Sequence, residues 1–157
     1  MLKDIRALSS EELIQAVVDL GEKPFRAKQL EEWVWTKSAS SFDEMTNLSK
    51  KFRDSLNEQF YLKRIILSER QKSSDGTIKC AFEVEKKKPT DLSVVEGVLI
   101  PTKKRMTACI SSQVGCSLAC KFCATGRLKL MKNLDAAEMY DQVEKIASIA
   151  REEDDTN

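Results

Sequence analysis

Apolar residues recur at helical spacing through the first third of the chain. Leu13, Ala16, Val17 and Leu20 form one stripe across residues 9–21. Ser9 and Glu12 supply a capping box at its start, and Gly21 a left-handed stop at its end. Pro24 suits the opening of a second helix. That helix carries Ala27, Leu30, Val34 and the tryptophans Trp33 and Trp35 to about Lys37. Ser41 and Glu44 cap a short turn. Leu48, Phe52, Leu56 and Phe60 then space a third helix from about Ser49. The pattern predicts a small helical module over residues 1–62. Core packing is the reading of Trp33 and Trp35, with base stacking the alternative.

After Leu62 the period drops to two. Residues 64–71 read as a strand and Ser73-Ser74-Asp75-Gly76 as a turn. Ile78, Cys80, Phe82 and Val84 then alternate with Thr77, Lys79, Ala81 and Glu83, so Asp75-Gly76 predicts an antiparallel hairpin. Cys80 falls on the apolar face and reads as core. Lys86-Lys87-Lys88-Pro89 is a polar break, and Val94 to Ile100 is a third strand ended by Pro101. Residues 63–101 are thus a β extension. Glu96 shares its face with Val94, Val98 and Ile100, which places an acid at an exposed edge or over a pocket. Met106 to Ser111 suits the first strand of a new α/β unit. Asp135 and Glu138 cap a final helix with Met139, Val143, Ile146 and Ala150 on its buried side. The expected class is α+β.

Composition narrows the setting. At 157 residues the chain holds one domain or two small ones. Apolar residues make up 41% and charged residues 32%, with no apolar run long enough for a transmembrane helix and no apolar leader after Met1. Five cysteines, odd in number and clustered, argue against a secreted disulfide framework and for the reducing cytoplasm. A net charge of +1 excludes a global nucleic-acid footprint. The distribution is more telling. Lys103, Lys104, Arg105, Lys121, Arg127, Lys129 and Lys132 are unopposed by any acid between them, whereas Arg151-Glu-Glu-Asp-Asp is acidic. A basic rim around the cysteines would attract phosphate; a solvated surface is the plainer alternative.

Four of the five cysteines lie between Cys109 and Cys123, and Cys116, Cys120 and Cys123 read C-x-x-x-C-x-x-C. That spacing does not stack three thiols on one straight helix. It suits a loop folded round one metal centre, and soft thiolates favour zinc or iron–sulfur. Structural zinc takes four ligands, and the chain has no His. Cys80 or Cys109 could complete a set; a small zinc-binding interaction domain therefore stays open. Three thiolates on a four-iron cube leave one iron for another ligand.

The string Cys116-Ser-Leu-Ala-Cys120-Lys-Phe122-Cys123, behind Ser111-Ser112-Gln113-Val114-Gly115 and with Cys109 seven residues before Cys116, resembles the RlmN/Cfr family of radical S-adenosylmethionine (SAM) RNA methyltransferases. Phe25-Arg26-Ala27-Lys28-Gln29-Leu30, Phe42-Asp43-Glu44-Met45-Thr46 and Asn133-Leu134 match it too; Leu130-Met131 replaces a Gly-Phe common in relatives. The resemblance implies that Cys116, Cys120 and Cys123 hold a [4Fe–4S] cluster, with Phe122 beside the bound cofactors. It implies SAM as co-substrate, an external electron donor, and adenine C2 of 23S ribosomal RNA and transfer RNA as the methylated position. Glu96, thirteen residues before Cys109, is implied as proton acceptor, and Cys109 as the thiol that resolves a covalent RNA adduct. It implies an RNA-binding accessory domain over 1–62 and, over 102–157, the start of a partial (β/α) barrel. The family's Gly-Glu SAM motif and its later methyl-carrying cysteine do not occur before Asn157. The expectation is thus an N-terminal fragment, inactive alone, with RNA binding without catalysis as the alternative activity.

Overall fold

Ser9 begins the first regular helix as its spacing predicts. In the computed structural model, which describes residues 2–84 and 94–154, the Ser9 hydroxyl accepts from Glu12 N and the Glu12 carboxylate accepts from Ser9 N. Helix α1 (Ser10–Asp19) follows, and Gly21 leaves it at φ +81°. The chain divides into two compact units, Met1–Lys63 and Arg64–Asn157.

In the first unit, α2 (Phe25–Glu31) runs into a π-helical turn over Glu32–Thr36, closed by Lys37 N donating to Glu32 O. Val34 is buried, and Trp33 and Trp35 flank it half-buried against the core. Both indoles are held in place. Trp33 Nε1 donates to Asn47, Lys37 lies 4.2 Å over its ring, and Arg6 lies over Trp35. These contacts fit packing. Phe42–Glu44 forms the short turn, where Glu44 accepts from the Ser40 hydroxyl and amide. Helix α3 (Lys50–Gln59) is capped by Ser49, whose hydroxyl accepts from Phe52 N. It leads into β2 (Phe60–Tyr61), which pairs in parallel with β1 (Lys3–Asp4). Leu30, Met45, Phe52 and Leu56 are almost wholly excluded from water, each contributing about 1.5–3 kcal/mol of transfer free energy.

The second unit is a four-stranded antiparallel sheet in the order β3 (Ile66–Lys72), β4 (Ile78–Glu83), β5 (Val94–Pro101), β6 (Met106–Cys109). The β3–β4 hairpin closes on Gly76 at φ +84°, with Asp75 accepting from Thr77 N. The expected polar break at Lys86-Lys87-Lys88-Pro89 lies outside the described residues. Strand β6 was expected to open a new α/β unit. It pairs antiparallel with β5, Val98 opposite Cys109. The reason is local: Thr102 N and Oγ1 both donate to the Arg105 carbonyl, turning the chain back on itself. Residues on either side of the expected division at 101 therefore share one sheet. The α+β class holds.

Helix α4 (Ala136–Asp154) covers one face of this sheet through Ile146 and Ile149. Asp135 and Glu138 form its capping box. Its buried face differs from the expected stripe, since Val143 is 44% exposed. The inward positions are Ala137, Glu138, Asp141, Gln142, Ile146 and Ile149, and three of them are polar. Each polar one has partners. Asp141 takes the Arg64 guanidinium at 2.7 Å and the Ile65 amide at 3.1 Å, and Glu138 takes Lys132 at 2.7 Å. Near its end, Glu152 and Glu153 bond to Arg70 and Lys72 of β3. Asp155 of the expected acidic tail lies outside the described residues. Among the described residues no helix is long and apolar enough to cross a membrane.

Candidate functional site

Alternation along β5 sends Val95 and Leu99 to the core and Val94, Glu96, Val98 and Ile100 to the opposite face. That second face is open, so Glu96 does not sit among buried apolar neighbours. Glu96 pairs with Ala81 of β4 and lies just beyond the reach of β6, whose register ends at Val98. The Glu96 side chain is 61% exposed and its Oε1 lies 3.0 Å from Lys79 Nζ. Gly97 points inward. A Cβ there would meet Ile146 Cδ1 at 2.9 Å and Phe82 Cε2 at 3.0 Å, so its bareness lets α4 seat closely on the strand.

Directly paired residues project to the same side of a sheet. Cys109 faces Val98 across β5–β6, and Val98 lies two residues from Glu96. The register thus puts Glu96, Lys79 and exposed Cys109 on one open surface. Cys80 is on the other, fully buried, and burial pushes its thiol up, with Arg70 opposing.

Residues 115–131 form a loop clasped at its neck. Strands β7 (Gln113–Val114) and β8 (Lys132–Asn133) pair antiparallel, Gln113 Nε2 donates to Asn133 Oδ1, and Leu134 N donates to Ser112 O. Inside them, Met131 N donates to Val114 O at 2.9 Å and Cys116 N to Leu128 O at 3.2 Å. Gly115, at φ +75°, permits this crossing, since a Cβ would stand 2.0 Å from the Lys129 carbonyl oxygen. Gly126 also lies close against the main chain of Cys120, where a Cβ would stand 2.8 Å from its carbonyl oxygen. Ala119 adopts φ +49°, a left-handed turn between the first two loop thiols.

Cys116, Cys120 and Cys123 are free and half-buried on this loop. Leu118 N donates to Cys116 Sγ at 3.5 Å. Phe122 is 93% exposed and Leu118 77%. Among the described residues no three His, Cys, Asp or Glu side chains gather into a metal-ligating group. The fold brings the three thiols onto one clasped loop without converging them. The donor set itself suits an iron–sulfur centre: three unpaired soft thiols, half open to solvent, with no competing carboxylate in the loop.

Two hollows adjoin the loop. One, of about 510 Å³, is lined by Glu96, Val98, Ser111, Gly115, Thr125 and Leu128, so Glu96 opens onto the same cleft as the neck and far side of the loop. The other, about 270 Å³, is lined by Cys116, Ala119, Gly126, Arg127 and Leu130. A larger groove of about 720 Å³ lies within the first unit, but Glu12, Asp19 and Glu58 on its rim would repel phosphate. Lys103, Lys104, Arg105, Lys121, Arg127 and Lys129 are exposed as the basic rim requires. Lys132 is not part of it, because its ammonium is held on buried Glu138. Lys79 and Gln142 escaped the sequence reading. Strand register was the only signal for Lys79, and Gln142 carried none, being polar on a buried helix face.

Residues 3–62 match the family of the ribosomal RNA large subunit methyltransferase N-terminal domain. The chain is 52% identical over 149 residues to a probable dual-specificity RNA methyltransferase RlmN of Christiangramia forsetii, covering 95% of this chain and 41% of the relative. It is 53% identical over 150 residues to the Cytophaga hutchinsonii protein of the same description, covering 96% and 40%. A crystal structure of a radical SAM methyltransferase from Sphaerobacter thermophilus superposes with a TM-score of 0.77 at 35% identity, over 96% of this chain and 43% of that one. The chain therefore spans about two fifths of the length of these relatives.

Proposed function

Because the chain belongs to the RlmN family, we propose that it forms the cluster-holding, RNA-contacting part of a radical SAM enzyme that methylates C2 of adenine in 23S ribosomal RNA and transfer RNA. The observation that carries this reading is the shared surface: Glu96 and Cys109 stand on one sheet face, and Glu96 opens onto the cleft bordered by the cysteine loop.

In this reading Cys116, Cys120 and Cys123 hold a [4Fe–4S] cluster as thiolates, and Phe122 lies against the bound cofactors. When bound and reduced by an external donor, the cluster supplies the electron that cleaves SAM to a 5′-deoxyadenosyl radical. Adenine C2 is too weakly acidic and electrophilic for polar methyl transfer, which is why a radical route is required. Glu96 accepts the C2 proton, and Lys79, 3.0 Å away, orients its carboxylate. The Cys109 thiolate would then attack the sulfur of the methyl-carrying cysteine that tethers the base. A disulfide forms as the carbon–sulfur bond breaks, and the methylated base leaves with its electron pair and takes up a proton. The exposed lysines and arginines from Lys103 to Lys129 hold RNA phosphates, and the first unit adds further RNA contact. The sheet and α4 serve as the opening of a partial barrel completed by further chain. The setting is the reducing cytoplasm. Alone, a chain spanning two fifths of its relatives is expected to bind RNA without turning it over.

The test has two arms. Anaerobic loading of the chain with iron and sulfide should give bound iron that the triple Cys116, Cys120, Cys123→Ala variant does not retain. The chain is then substituted for its matching segment in the C. forsetii relative, and ribosomal RNA is assayed for 2-methyladenine by mass spectrometry. The chimera should be active, Glu96→Gln should slow it about 100-fold or more, and Cys109→Ala should accumulate RNA–protein adduct. Iron uptake unchanged in the triple variant, or full turnover in both point variants, would sink the assignment.

A further inference from the structure

Gln142 is fully buried on the sheet-facing side of α4. An uncharged amide in such a place costs stability unless its donors and acceptor are used, and here they are. Its Oε1 accepts from Ser111 N at 2.9 Å, and its Nε2 donates to Ser111 O at 2.9 Å and to Glu138 O at 3.2 Å. The paired bonds to Ser111 mimic one rung of a β-ladder at the point where β6 has ended. Ser111 is then tied onward, its hydroxyl donating to the Glu96 carbonyl at 2.7 Å. One residue later, Ser112 O accepts from Leu134 N at the loop neck.

We propose that Gln142 is a positioning residue: by clamping both main-chain groups of Ser111, it fixes where the cysteine loop starts relative to Glu96. This rests on the reading of Glu96 and the cysteine loop as the reacting centre. Packing alone does not require it. An apolar residue of similar length would fill the same volume between α4 and the sheet, yet would leave Ser111 N and O without these partners. The two bonds define a direction that van der Waals contact does not, and the Ser111 hydroxyl passes that direction to the strand carrying Glu96.

The charged groups around Gln142 are Glu138 and Asp141 on its own helix, paired with Lys132 and Arg64. A carboxyl introduced at 142 would be buried beside them, and burial raises its pKa. Once protonated, it again accepts from Ser111 N and donates to Ser111 O. Gln142→Leu and Gln142→Glu are therefore made in the full chain. Amide exchange at Ser111–Gly115 is followed in the metal-free protein across pH. Electron paramagnetic resonance is recorded after iron and sulfide loading at one pH. In the Leu variant, Ser111 exchange should quicken about tenfold and the resonance should shift, with circular dichroism and iron content unchanged. The Glu variant should behave like Leu at high pH and regain protection as the carboxyl protonates. Unchanged Ser111 protection and spectrum in the Leu variant, or no pH dependence in the Glu variant, would overturn the proposal. If the Leu variant does not fold, the Glu titration decides. If the parent chain takes up no iron, the cluster assignment fails, while the exchange measurements still judge the clamp.

Discussion

Replacing Gly115 with alanine is expected to open the neck of the cysteine loop and leave the rest of the fold intact. Two costs combine. The residue's φ of +75° lies in the left-handed region, where a Cβ costs about 1–2 kcal/mol. That Cβ would also stand 2.0 Å from the Lys129 carbonyl oxygen, and a main-chain atom has no rotamer by which to step aside. Opposing these are the inner bonds of the neck, Cys116 N to Leu128 O and Met131 N to Val114 O, each about 1 kcal/mol net. The steric overlap added to the backbone strain exceeds what two such bonds hold, so the bonds yield first. Amide exchange by NMR reads this directly. Cys116 and Met131 should exchange at least about tenfold faster, equivalent to ~1.4 kcal/mol, while the amides of β4 stay as they were. Equal protection of Cys116 and Met131 in parent and variant would refute the reasoning, because the Lys129 carbonyl would then have moved at no cost.

Lys132→Met should destabilise the second unit by about 3 kcal/mol or more, because it strips the ammonium from a Glu138 carboxylate that is 1% exposed; the Lys132→Met/Glu138→Leu double variant should recover most of that. Urea unfolding followed by NMR intensities checks both, and a single-variant loss under about 0.5 kcal/mol would show that the pair behaves as a surface bridge. For Cys80, whose thiol is raised by burial, the folded pKa exceeds the unfolded one, so its contribution to stability is present at neutral pH and lost as pH rises through the folded value. Alkylation with iodoacetamide should therefore modify Cys109 and the loop thiols while sparing Cys80 until the sheet unfolds, and early labelling of Cys80 in native protein would contradict its placement.

What the sequence reveals and conceals follows from the range of each interaction. The caps at Ser9, Ser49 and Asp135 and the Asp75-Gly76 turn are set within four residues, and all four are readable as local chemistry. The buried stripe of α4 misleads because Glu138, Asp141 and Gln142 occupy its inward face, so a search for apolar spacing slides round to Val143. The pairing of β6 depends on Thr102 folding back to Arg105 without the glycine that marks most hairpins. At the candidate site, cysteine spacing is written in the sequence. Absent from it is the surface shared by Glu96, Lys79 and Cys109, which exists only once three strands are in register.

Trp33 and Trp35 are the two tryptophans of the chain, and both belong to the unit spanning Met1–Lys63. Indole emission is consequently an intrinsic optical signal that originates in that unit. The loop, if it takes up iron and sulfide, carries a visible absorption that the first unit lacks. Recorded together, indole emission and visible absorption can time RNA arrival at one unit against cofactor loading at the other in a single stopped-flow run. No dye or tag is needed, and the order of assembly becomes a kinetic observable.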